Sequence, residues 1–90
     1  MEGPHLLLHY AYVENMLERR VPHREAHLAH ARAWKEDGRI LAGGATGDPP
    51  SGALFVFQAD ADPDAFAEAD PYVRAGLVTE HRVERWNVVI

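Results

Sequence analysis

Cysteine is absent from all 90 positions, and that absence narrows what the chain can fold into more than any other feature. A domain of this length hides a limited share of its surface and is marginal alone. Small chains often add disulfides or a thiolate metal site, and neither is available here. The remaining routes to stability are an efficient apolar core or association with a second copy, and association is the expectation. Cysteine hydrolases, zinc ribbons and disulfide-rich secreted scaffolds are excluded on the same ground. With 47% hydrophobic and 26% charged residues, the chain has the makings of one globular core. A single domain over residues 1–90 is expected.

Charge argues against nucleic acid. Nine basic and fourteen acidic residues give a net charge of −5, and no basic stripe is present to track a phosphate backbone. No apolar run approaches the roughly 18 residues a membrane span needs. His5 interrupts the apolar stretch near the N-terminus and no basic leader precedes it, which is unlike a signal peptide. A cytoplasmic protein without nucleic-acid or membrane partners is expected.

Residues 5–13 (HLLLHYAYV) read as a strand with Leu6, Leu8, Tyr10 and Tyr12 on one face and His5, Leu7, His9, Ala11 and Val13 on the other. Both faces are largely apolar, so both are expected to be covered, with His9 inside. Residues 14–21 are polar and carry no element. Pro22 opens a helix over residues 23–37 that Gly38 closes. Residues 39–45 (RILAGGA) form a second strand, 46–52 (TGDPPSG) a loop, and 53–59 (ALFVFQA) the clearest strand. Asp60 and Asp62 can cap a helix from Pro63 to about Glu68, and Asp70-Pro71 restarts a helical turn that ends at Gly76. Residues 79–90 form the last strand, with Trp86, Val88 and Ile90 on one face and a bulge expected around Val83.

The order β-α-β-β-α-β is that of the ferredoxin-like plait, an α+β fold with helices on one face of an antiparallel sheet. The other face would expose apolar side chains. A second copy packed sheet to sheet would cover them and enclose a ligand cavity between the sheets.

Few residues are candidates for chemistry. His23 and His27 stand one helical turn apart, a spacing that can hold a metal. However, HREAH puts Glu25 one place off the zincin pattern, and no third ligand is marked. His9 is a further, weaker metal candidate, and the expectation is no metal. Asp70-Pro71-Tyr72 is fully explained as a helix cap. Gly43-Gly44 would permit close approach of a ligand or simply a tight turn. Neither a phosphate loop nor a nucleophile elbow around Ser51 is present.

Taken in order, Arg24-x-x-His27, Gly38, Ala42-Gly43, Gly52, Asp70-Pro71-Tyr72 and Ala75-Gly76-Leu77 resemble the YciI-like (YCII-related) family. The resemblance runs from about residue 5 to residue 90. It implies the dimeric α/β-barrel version of the plait and a His–Asp active-site pair, here His27 and Asp70. It also implies kinship with a dehydrochlorinase that acts on an aromatic compound. The chain departs from the family at Ala42-Gly43-Gly44, where A-G-P is common, and this loosens a loop that would contact ligand.

A carboxylate beside an imidazole fixes its tautomer and stabilises the imidazolium. The resulting expectation is a small enzyme without a cofactor. His27 and Asp70 would transfer a proton on a small cyclic or aromatic substrate, as an isomerase, lyase or dehydrochlorinase does. Arg24 or Tyr72 would steady an oxyanion or carboxylate, and His9 and Gly43 would line the cavity. The alternative is a binding or accessory domain in which the same pair is a structural hydrogen bond.

Overall fold

The computed structural model describes residues 1–90. In chain order it contains β1 (Gly3–Tyr12), α1 (Met16–Arg19), a 3-10 turn (Val21–His23), α2 (Arg24–Glu36), β2 (Ile40–Thr46), β3 (Gly52–Gln58), α3 (Pro63–Ala69), α4 (Pro71–Arg74) and β4 (Val78–Val88). The most apolar segments, β1 and β3, pair at the centre of one antiparallel sheet of order β2-β3-β1-β4. The helices pack on one face, so the fold is the α+β plait expected from the element order.

Strand parity decides what reaches the core. Leu8 and Tyr10 of β1 meet Phe55 and Phe57 of β3 on the helix side, and Phe66 of α3 closes over them. Trp34 of α2 packs edge-on against Phe57 and Phe66. His30 stacks on Phe66 and donates Nε2–H to its carbonyl at 2.9 Å, tying α2 to α3. Asp62 caps α3 by accepting the Ala65 N–H at 3.1 Å.

The structure departs from the sequence-based expectations in three places. Residues 14–21 contain α1, whose Met16 forms a small second core with Tyr72 and Leu77. One buried methionine in a polar stretch was too weak a signal to mark it. The irregularity in β4 falls at Thr79 rather than around Val83: Ala11 pairs with Glu80 and Tyr12 with Val78. Leu77 is anchored in the second core and its carbonyl accepts the Val13 N–H, so the extra residue is absorbed next to that anchor. Val83 does face the helix side, opposite Leu8, but at an outer strand it stays 37% exposed. Finally, Ile90 lies beyond the strand and is fully exposed.

The helix-free face carries the rows Ala42–Val56–Leu7–Glu84 and Gly44–Leu54–His9–Arg82 across the sheet. It is apolar at its centre and charged towards β4, with Trp86 39% exposed beside His5. No helix is long and apolar enough to cross a membrane.

Gly52 sits where β3 begins, and a Cβ there would overlap the Tyr10 carbonyl oxygen of β1. That oxygen belongs to the backbone of a central strand, so it does not yield cheaply. Gly52→Ala is expected to cost about 1–3 kcal/mol, lowering the melting temperature by roughly 4–8 °C per kcal/mol in a domain of this size. Gly44→Ala, whose Cβ meets nothing, is the control and should stay within about 0.5 kcal/mol. Thermal unfolding followed by circular dichroism checks both.

Candidate functional site

The site begins with side chains that are missing. One stripe of α2, from Arg24 through His27 and Ala31 to Lys35, faces β2 where that strand reads Gly43-Gly44-Ala45. With almost nothing projecting from the strand, a cleft of about 470 Å3 remains between helix and sheet, bounded by Ala53 and Phe55 of β3. Such a volume suits a small molecule. At Gly43 a Cβ would stand 2.5 Å from the Phe55 ring, so a larger residue would displace the aromatic wall.

His27 stands in the wall of this cleft, 6% exposed. Its Nδ1 lies 2.7 Å from Asp70 Oδ1. Asp70 is fully buried and is the N-cap of α4: Oδ1 also accepts the Tyr72 N–H at 3.0 Å, and Oδ2 accepts the Tyr10 hydroxyl at 2.8 Å. An acceptor already fixed by two donors takes its third bond from Nδ1–H. That assigns the neutral imidazole its tautomer and leaves Nε2 as the basic nitrogen. The Tyr72 ring lies flat against His27, with centroids 3.7 Å apart and planes within 3°. The imidazole is thus held in its plane by a stack and in its direction by a hydrogen bond, while Nε2 has no protein partner.

The Tyr72 hydroxyl is buried and also has no hydrogen-bond partner. Burial raises its pKa above the ordinary phenol value. Arg20 and Arg24 oppose that rise, and Arg24 lies close to the hydroxyl but off hydrogen-bond geometry.

A family model for the YCII-related domain matches residues 5–87. The chain belongs to the YCII-related family. It is 37% identical to Protein YciI of Escherichia coli, over 72% of this chain and 76% of that protein, and equally to Protein YciI of Shigella flexneri. Among solved structures it is similar to the 5-chloro-2-hydroxyhydroquinone dehydrochlorinase of Burkholderia phenoliruptrix AC1100 in complex with 2,5-dihydroxybenzoquinone. That similarity has a TM-score of 0.74 and 28% identity, covering 92% of this chain and 93% of that one.

In this YCII-related domain, Arg24, Gly43 and Tyr72 line the same cleft as His27. His9 does not. Tyr10 takes the helix side of β1, and parity sends His9 to the opposite face, where its Nε2 meets Glu84 Oε1 at 3.0 Å. That hydrogen bond, helped by Arg82, holds the Glu84 carboxyl below its usual range. The cleft beside His27 is therefore on the helix side of the sheet and not, as expected, between two sheets. His23 is the N-cap residue of α2, and no three metal-ligating side chains converge anywhere.

Two site residues escaped the sequence reading. Tyr10 belongs to the core face of β1, and its reach to Asp70 depends on a contact 60 residues away. Arg20 falls in the unassigned stretch, and the signal available was its spacing of four from Arg24.

The three tyrosines of the chain, Tyr10, Tyr12 and Tyr72, all surround this site. Burial pushes Tyr12 up to about 12. Burial, then the Asp70 charge, raises Tyr10 further. An unfolded tyrosine ionises near pH 10, so above that pH the unfolded state binds fewer protons and stability falls as pH rises. Below about pH 10 this contribution is fully present. Tyrosinate absorbance is expected to appear together with unfolding at alkaline pH. Ionisation near pH 10 in protein that is still folded would contradict the buried cluster.

Proposed function

We propose that this domain is an enzyme without a cofactor that transfers a proton on a small cyclic or aromatic substrate. In this reading His27 is the general base and acid, and Asp70 orients it. The observation that carries the reading is an imidazole held through Nδ1 by a fully buried carboxylate while its Nε2 stands unpartnered at a cleft. A purely structural pair would have both ends of the imidazole satisfied. Nε2 takes a proton from a C–H or O–H of the substrate, and the freed electron pair moves into the ring system or expels a leaving anion. In isomerisation the imidazolium returns the proton to another atom of the ring system. In elimination it releases the proton to solvent as the anion departs, so that H+ and the anion are both lost. Asp70 stabilises its charge in between. Arg24 and Tyr72 stand where a developing oxyanion needs donors, and Gly43 keeps the wall open. The similarity to a dehydrochlorinase with a dihydroxyquinone bound supports elimination or isomerisation on an oxygenated ring.

The test is turnover of 5-chloro-2-hydroxyhydroquinone, followed as chloride release. His27→Gln is expected to reduce the rate by about 10²–10⁴-fold, the usual contribution of a positioned base. Asp70→Asn is gentler. Its amide oxygen can keep both bonds at the Oδ1 position, and its NH2 can donate to the Tyr10 oxygen. Cap and tautomer then survive and only the charge is lost. Hydrogen bonds to charged groups exceed neutral ones by about 1–2 kcal/mol, so a fall of roughly ten-fold with little change in melting temperature is expected. Ligand binding without turnover of any oxygenated ring would instead favour a binding domain.

The reading includes a homodimer. The open sheet face presents Leu7, Leu54 and Trp86 to water, and a second copy packed sheet to sheet would cover them. Sedimentation at micromolar concentration is expected to give twice the 10.1 kDa chain mass. A stable monomer would sink the dimer.

A further inference from the structure

The charge lining the cleft is not that of the chain. Acids outnumber bases by fourteen to nine over the whole sequence, yet the cleft is lined by Arg20, Arg24, Arg32 and Lys35 and by no Asp or Glu. None of these four cations has a carboxylate within 4 Å. Lys35 is turned to the Leu41 carbonyl and the three guanidinium groups have no carboxylate partner. Arg20 follows α1 and Arg24 opens α2, and both line the cleft, so two like charges are brought to one end of it with no carboxylate between them.

The second observation is independent of charge. Tyr72 is 2% exposed, and its hydroxyl is orphaned beside Arg20 and Arg24. Buried hydroxyls are nearly always paired. A neighbouring guanidinium could only donate to the hydroxyl oxygen, and the O–H itself has no acceptor in the structure. A ligand bringing acceptor oxygens with negative charge would satisfy the hydroxyl and relieve the repulsion together.

We propose that the cleft selects ring substrates bearing an anionic oxygen group, seated against Arg20 and Arg24 beside the Tyr72 hydroxyl. The assignment deepens the proton-transfer reading and rests on it for the term substrate. A guanidinium offers two parallel N–H donors that match a planar oxyanion such as a carboxylate or an ionised enol. With its anionic group fixed at the α2 N-terminal end, the ring extends over Gly43 and Phe55, past His27. Arg20 is then a binding residue and not merely the end of α1.

The test needs no knowledge of the natural substrate. The probes are 2-naphthoate, its neutral isostere 2-naphthamide, and inorganic phosphate, titrated at neutral pH by calorimetry and by NMR of the His27 ring. The carboxylate is expected to bind at least about ten-fold tighter than the amide, since one charge-assisted hydrogen bond suffices for that ratio. Its affinity should fall with added salt and by about ten-fold in either Arg20→Gln or Arg24→Gln. Phosphate should compete with it, which would mark the charge and not the ring as the common feature. The amide binding as tightly as the carboxylate would overturn the proposal on wild-type protein alone, whatever the variants do. Affinity unchanged in both arginine variants, or no binding of any of the three probes, would overturn it as well. Naphthoate binding should persist in His27→Gln. Charge-selective binding without turnover therefore defeats the proton-transfer reading alone, and turnover with charge-blind binding defeats the anion subsite alone.

Discussion

The carboxylate of Asp70 is the contact on which the helix layer and the site both depend. It is fully buried and accepts from three separate parts of the chain: the Tyr10 hydroxyl of β1, the His27 imidazole of α2 and the Tyr72 N–H of α4. Burying a charge costs several kcal/mol even after relaxation. Three hydrogen bonds to a charged group, at about 1.5–3 kcal/mol each, are the scale of interaction that offsets it. Loss of one donor would leave the charge underpaired, so the three elements are held to one another through a single side chain. The same carboxylate directs Nδ1–H of His27 inward and so turns Nε2 towards the cleft. The α4 cap is thus also the device that sets the histidine.

The cleft comes from leaving material out. Along β3 the inward positions are Ala53, Phe55 and Phe57 and the core is full. Across the neighbouring β2 the corresponding positions after Ile40 shrink to Gly43 and Ala45, and α2 bridges the gap. A valine at 45 would fill part of the space and strengthen the edge strand, whereas one at 43 would do so only by displacing the Phe55 ring. The chain forgoes that burial, at roughly 1.5–3 kcal/mol per side chain, in a domain with little stability to spare.

Topology was legible because its signals are local: Pro22, which falls in the 3-10 turn leading into α2, Pro63 behind Asp62, Pro71 behind Asp70, and alternation through residues 53–59. The family resemblance pointed to His27 and Asp70, and the geometry brings them to 2.7 Å. What the sequence could not give was whatever depends on parity or distant registration. His9 looked enclosed because both faces of its strand are apolar, yet one residue of phase separates it from the cleft. Tyr10 looked like core packing because its hydroxyl partner lies 60 residues along the chain. Arg20 was lost with α1, a helix of four residues that a polar stretch with one buried methionine does not announce.

Parity also separates the two faces of the sheet as physical environments. On β1, Tyr10 belongs to the Asp70 cluster, while its neighbours His9 and Ala11 look out on the open face. Every side chain named in the cleft comes from the helix side of one chain or from the edge strand β2. A second copy covering Leu7, Leu54 and Trp86 would press on the backs of the strands that carry Tyr10 and Phe55 without contributing to the wall around His27. Association and chemistry would then share β1 and β3 but not side chains. In a domain with no disulfide to stiffen it, covering the open face would steady the strands from which Tyr10 reaches Asp70, and through Asp70 the orientation of the imidazole.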